Sequence, residues 1–121
     1  MRVVVFGALN GLVAVGLGAV ATHLLSDSMT VADAGVMETA VFYQALHAAV
    51  LVAMGALKDH VLPSLLGLSA WALGLGVVLF SGSLYVLSFG GPAEVAMVTP
   101  VGGALLLVGW LVLAVAAARR I

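Results

Sequence analysis

Residues 40–57 read AVFYQALHAAVLVAMGAL. The run holds no Asp, Glu, Lys or Arg. As a helix it is long enough to cross most of a ~30 Å hydrocarbon layer at ~1.5 Å per residue. It also holds Tyr43, Gln44 and His47, with Glu38 and Thr39 just before it. Whether this is a buried helix of a soluble protein or a membrane span decides the fold, and the rest of the chain settles it. Of 121 residues, 64% are hydrophobic and only 7% charged. Soluble domains run nearer half apolar and a quarter charged. A surface made from so few charged side chains would not stay in water.

Three further runs match the first: Val3 to Leu25, Leu65 to Phe89 and Val101 to Ala118. Backbone groups in lipid must be paired within the segment, and runs this long exceed barrel strands. The expected fold is all-α, a four-transmembrane-helix antiparallel bundle. Its helices should cover about 3–25, 37–57, 64–89 and 100–118. So little sequence lies outside them that 1–121 reads as a single integral membrane domain.

The breaks carry stop and start signals. Ser26-Asp27-Ser28 ends the first run. Thr30, with Asp33 three residues on, forms a capping pair for a short lead-in to the second helix. Gly55 and Lys58-Asp59 close that helix, and Pro63-Ser64 opens the third. Gly90-Gly91-Pro92 is a turn. Thr99-Pro100 reads as an N-cap followed by Pro at the first helical position.

All four basic residues, Arg2, Lys58, Arg119 and Arg120, fall at the termini and the middle loop. In a four-span chain these share one side. Asp27, Asp33, Glu38 and Glu94 hold four of the five acids and fall on the other side. The positive-inside rule then puts both termini in the cytoplasm of a plasma or bacterial inner membrane. A rival reading takes Arg2, the first apolar run and Ala19-Val20-Ala21 as a signal peptide with its cleavage site. That run is longer than a usual signal core, contains Asn10 and several glycines, and has no polar region before the cut.

Composition excludes several function classes. A net charge of −1 offers no basic patch for nucleic acid. Without Cys there is no disulfide, thiol or iron–sulfur chemistry. No nucleophile elbow, phosphate loop or dinucleotide fingerprint is present. No catalytic residue, enzyme activity or cofactor is expected.

Helix one carries Gly7, Gly11, Ala14 and Gly18, whose 4-3-4 spacing keeps them on one face. Small residues let backbones approach closely, which is what drives helix association in lipid. Gly102-Gly103 and Gly109 suit the same role in helix four, while Gly74, Gly76 and Gly82 are too scattered to assign. Such seams suit packing inside the bundle, a homo-oligomer, or docking to a larger membrane complex.

Polar residues at depth are sharper clues. Asn10 lies roughly 10–12 Å from the basic end of helix one and needs partners there, an interhelical bond or a ligand. His47 lies roughly 13 Å below Glu38, close to the midplane. Thr39, Tyr43 and His47 form one stripe at i, i+4, i+8, flanked by Gln44. The stripe should face protein or a wet cavity. A neutral imidazole brings one donor and one acceptor, which Tyr43 or Asn10 is placed to satisfy. An ionisable residue inside a membrane is a functional candidate by default. Two readings of Asn10, Tyr43, Gln44 and His47 therefore stay open. One is a structural centre. The other is a site handling protons or binding a quinone or lipid. His23 and Glu38 form a second polar group near the acidic boundary with Asp27, but their spacing is not that of a metal site. His60 falls in the basic-side loop and reads as solvated. Ser81 and Ser83 can bond back to their own helix. Tyr85 fits an interfacial belt, and Trp71 and Trp110 read as packing or lipid-facing residues.

Several blocks together resemble a known family. They are Gly7-Ala8-Leu9-Asn10-Gly11, His23, Glu38-Thr39-Ala40, Tyr43-Gln44, His47-Ala48, Phe80-Ser81-Gly82-Ser83-Leu84-Tyr85, Thr99-Pro100, Gly102-Gly103 and Gly109-Trp110. In this order, along nearly the whole chain, they resemble the YgdD-like family of small inner-membrane proteins, also known as the domain of unknown function 423 family, which takes in the eukaryotic transmembrane protein 256. The resemblance implies a four-helix inner-membrane protein and brings no activity with it. The leading expectation is a non-enzymatic structural, assembly or accessory component among membrane lipids. The alternative is the proton- or small-molecule-handling protein centred on His47.

Overall fold

A computed structural model describes residues 1–119, so Arg120 of the basic set lies outside the described residues. Four helices follow in chain order: α1 (Arg2–His23), α2 (Val31–Leu57), α3 (Pro63–Ser88) and α4 (Val98–Ala118). A 3-10 turn, Ala93–Met97, leads into α4, and there is no strand among the described residues. Each span is long and apolar enough to cross a membrane.

Two helix starts differ from the sequence reading, for local reasons. Thr30 Oγ1 accepts the Asp33 N–H at 3.0 Å, a true N-cap. The capped turn runs on without a break, so α2 is one 27-residue helix and begins six positions before 37. At α4, Thr99 is not the cap. The helix begins one residue earlier, at Val98, and the Thr99 hydroxyl turns to Ser83 Oγ at 2.6 Å. Pro100 therefore sits at the third helical position, where its missing N–H is still one of the four donors a helix start leaves unpaired. Pro63 does open α3. Gly90 takes φ +84°, the left-handed conformation that lets the chain leave α3 and turn toward Pro92.

The helices alternate in direction and pack in chain order, α1 on α2, α2 on α3 and α3 on α4, while α1 meets α3 only locally. Glycines set the closest approaches. A Cβ on Gly7 would meet Val52 N at 2.9 Å and Ala48 O at 3.0 Å of α2. Gly18 lies against Val41 further along, and Ala14 between them is fully buried. On the other flank Gly76 and Gly102 face each other. A Cβ on either would come within 3.1 Å of the other's carbonyl oxygen. Gly109 packs the same way on Leu73. Helix four thus uses Gly102 and Gly109 as its seam, and Gly76 of α3 proves to be their counterpart. Buried Leu51, Met54, Leu66, Leu73, Val77 and Leu106 fill the space between α2, α3 and α4. Leu9, Leu12 and Val15 of α1 and Leu107 and Leu111 of α4 stay exposed, as lipid-facing side chains do.

Candidate functional site

The polar residues at depth are gathered by the packing of α2. Asn10, Gln44 and His47 are all buried. Asn10 sits one turn past Gly7, on the face that the glycine contact presses against α2. Its Nδ2–H donates to the Phe6 carbonyl at 3.0 Å, within its own helix. Its Oδ1 accepts from Gln44 Nε2 at 3.1 Å. The Gln44 Oε1 in turn accepts the Tyr85 hydroxyl at 2.6 Å. One line of hydrogen bonds therefore crosses from α3 through α2 to α1. Tyr85 was expected in an interfacial belt. Its ring is only partly exposed and its hydroxyl points inward, so it is a member of the centre that spacing along one helix could not reveal.

His47 belongs to a second set. Its Nδ1 lies 2.7 Å from the Tyr43 carbonyl one turn before it. Its Nε2 accepts the Trp110 indole N–H of α4 at 3.1 Å. A carbonyl only accepts and an indole only donates. The ring therefore carries its proton on Nδ1, and both nitrogens are used. Of the two partners the spacing offered, Tyr43 is one, through its carbonyl oxygen, and Asn10 is not. Trp110 is 41% exposed, so its ring faces outward while its N–H reaches the centre.

Tyr43 contributes its backbone oxygen and its ring. The ring packs on Phe80 at 4.7 Å between centroids and stacks beside His47 at 6.2 Å. The side chain is 37% exposed and lines a hollow of about 300 Å³ with Gly35, Glu38, Thr39 and Phe42. Thr39 bonds back to the Gly35 carbonyl. His23 and Glu38 are both exposed, and no three His, Asp or Glu side chains among the described residues stand close enough to hold a metal ion. His60 is exposed in the loop after α2.

Serines bind the remaining helices. Ser81 Oγ donates to Ala40 O of α2 at 2.9 Å, and Ser69 Oγ to Gly109 O of α4 at 2.8 Å. Ser81 thus crosses to a neighbour instead of bonding back to its own helix. Ser83 bonds back to Phe80 O and also joins Thr99. Every buried side-chain nitrogen and oxygen among the described residues has a partner.

Chemically, the Tyr85–Gln44–Asn10 line passes through two carboxamides, which hold a hydrogen bond but do not exchange a proton near neutrality. The His47 set ends on a peptide carbonyl and an indole. Neither set presents a free polar atom to a substrate.

Comparison with known proteins agrees with this architecture. The family model described as "Protein of unknown function (DUF423)" matches residues 17–103. A UPF0382 membrane protein of Haemophilus influenzae is 40% identical over 109 residues, 88% of this chain and 86% of that one. The UPF0382 inner membrane protein YgdD of Escherichia coli K12 is 37% identical over 115 residues, 95% of this chain and 88% of its own. The UPF0382 membrane protein SSP2132 of Staphylococcus saprophyticus is 37% identical over 112 residues, 93% and 92% of the two chains. No solved structure matches. With four membrane-length helices and this identity along most of its length, the chain belongs to the DUF423 (UPF0382) family of membrane proteins.

Proposed function

We propose that this protein is a non-enzymatic structural, assembly or accessory component of a bacterial inner membrane, with both termini cytoplasmic. The observation that carries the reading is the closure of its polar centre. Asn10–Gln44–Tyr85 and His47–Trp110 pair across four helices, the Phe6 and Tyr43 carbonyls take the remaining bonds, and among the described residues no buried side-chain polar atom is left over for a ligand. In lipid such bonds select one arrangement of helices, because each polar group has a specific partner to find. The lipid-facing sides of α1 and α4 are the surfaces offered to a second copy or to a larger membrane complex. The basic residues at one end support the orientation. The chain has no Cys, so single cysteines at Asp27 and Lys58 report sidedness cleanly. Lys58→Cys should label only from the cytoplasm and Asp27→Cys only from outside. Labelling of both from one face contradicts the topology.

The alternative, proton handling at His47, gains support only from its depth and ionisable character. Protein reconstituted in pH-loaded liposomes separates the two. The structural reading expects the same proton leak from the wild type and from His47→Phe. A wild-type flux that His47→Phe abolishes would overturn it.

A further inference from the structure

One cleft lies apart from the polar centre. Because α1 meets α3 only locally, a space of about 640 Å³ remains between them, floored by Leu51 of α2. Its walls are Phe6 of α1 and Trp71, Gly74, Leu75 and Val78 of α3, and Arg2 stands at its rim. A volume of this size is within the ~300–1,000 Å³ of small-molecule sites. The lining is apolar except at the Arg2 end. From Trp71 to Val78 the α3 wall runs roughly 10 Å along the helix.

The floor and walls are held by groups already described. Gly74 lets the Phe6 ring come close to α3, since a Cβ there would meet Phe6 Cε1 at 3.1 Å. The Phe6 carbonyl is the last acceptor of the Tyr85–Gln44–Asn10 line. Arg2 is exposed and has no ion-pair partner among the described residues. Trp71, 78% exposed, opens toward lipid from the opposite wall. An apolar slot with the Arg2 guanidinium at its rim matches an amphiphile with an acyl chain and one negative charge. A neutral ring compound would leave the guanidinium unused, and a soluble anion would have no use for the slot.

We infer that this cleft is a binding site for an anionic phospholipid, with one acyl chain between Phe6 and Trp71 and its phosphate paired with Arg2. The site is independent of the structural role proposed above, and of which membrane face Arg2 occupies. Arginine suits the task because its planar fork meets phosphate oxygens bidentately. The order of the elements gives the selectivity. The chain fits any lipid, and the charge at the rim chooses among headgroups.

Native mass spectrometry of the full chain, released from nanodiscs of equal phosphatidylglycerol and phosphatidylcholine with matched acyl chains, tests the assignment. The wild type should retain phosphatidylglycerol over phosphatidylcholine by about fivefold, the effect of one basic residue at an anionic membrane surface. Arg2→Gln should remove the preference, and Arg2→Lys should keep part of it. Ala70→Phe, which fills the slot from the α3 wall, should lower retention of both lipids while the melting profile stays within a few degrees of wild type. Equal retention of the two lipids by the wild type, or a preference that survives Arg2→Gln, overturns the proposal. Retention unchanged in a folded Ala70→Phe protein overturns the placement of the chain.

Discussion

His47 is where residue-scale physics is most specific. Its two nitrogens face an acceptor on one side and a donor on the other, so only the Nδ1–H tautomer satisfies both. Nitrogen NMR of labelled protein in detergent or bilayers should show that tautomer alone. A dominant Nε2–H signal contradicts the Trp110 contact. Trp110→Phe removes the donor and keeps most of the ring. It should cost about 0.6 kcal/mol, the average measured for hydrogen bonds between helices in membranes, and no more than about 1.7 kcal/mol. Crossed with His47→Leu, the two changes should be non-additive by a similar amount in a double-mutant cycle. That His47, Gln44 and Asn10 would need partners was legible in the sequence, because polar atoms at that depth have no water to turn to. Who the partners are was not. Tyr85 and Trp110 are aromatic residues at spacings that equally suit an interface belt or a lipid-facing ring. Only the packing of α3 and α4 turns their polar tips inward.

At the scale of elements, glycine placement decides how close the helices come. A single methyl on Gly102 or Gly76 would run into backbone atoms of the other helix. Gly16, on the outer face of α1, meets nothing within 4 Å. Gly102→Ala should therefore destabilise the bundle by about 1–3 kcal/mol through overpacking. Gly16→Ala should be neutral or stabilising by up to about 1 kcal/mol, because alanine loses less freedom in a helix. Reversible unfolding in mixed micelles reads both. Equal effects would mean that the α3–α4 seam is looser than these contacts require. The seam on α1 could be foreseen from the 4-3-4 spacing of Gly7, Gly11, Ala14 and Gly18. Gly76 could not, since its role depends on the register of α3 against α4, which no pattern within α3 carries. The starts of α2 and α4 differed for a related reason. A cap is a local hydrogen bond, and Thr30 found one in Asp33 N–H, whereas Thr99 spent its hydroxyl on Ser83 in another helix.

For the whole molecule, hydrophobic burial cannot order the helices, because lipid is as apolar as their side chains. Close backbone contact and paired polar groups must do it, and the Tyr85–Gln44–Asn10 line crosses three of the four helices. If that line is there to hold the bundle, it acts as a unit. Cutting its middle should cost more than removing it all. The decisive measurement is the unfolding free energy, in one mixed-micelle system, of Gln44→Leu against the triple variant Asn10→Leu, Gln44→Leu, Tyr85→Phe. Gln44→Leu strands the Asn10 oxygen and the Tyr85 hydroxyl, and should lose about 1–3 kcal/mol. The triple variant strands nothing and should recover at least half of that loss, with the helical content of the wild type. A triple variant less stable than Gln44→Leu, by the sum of the separate changes, would contradict a structural centre.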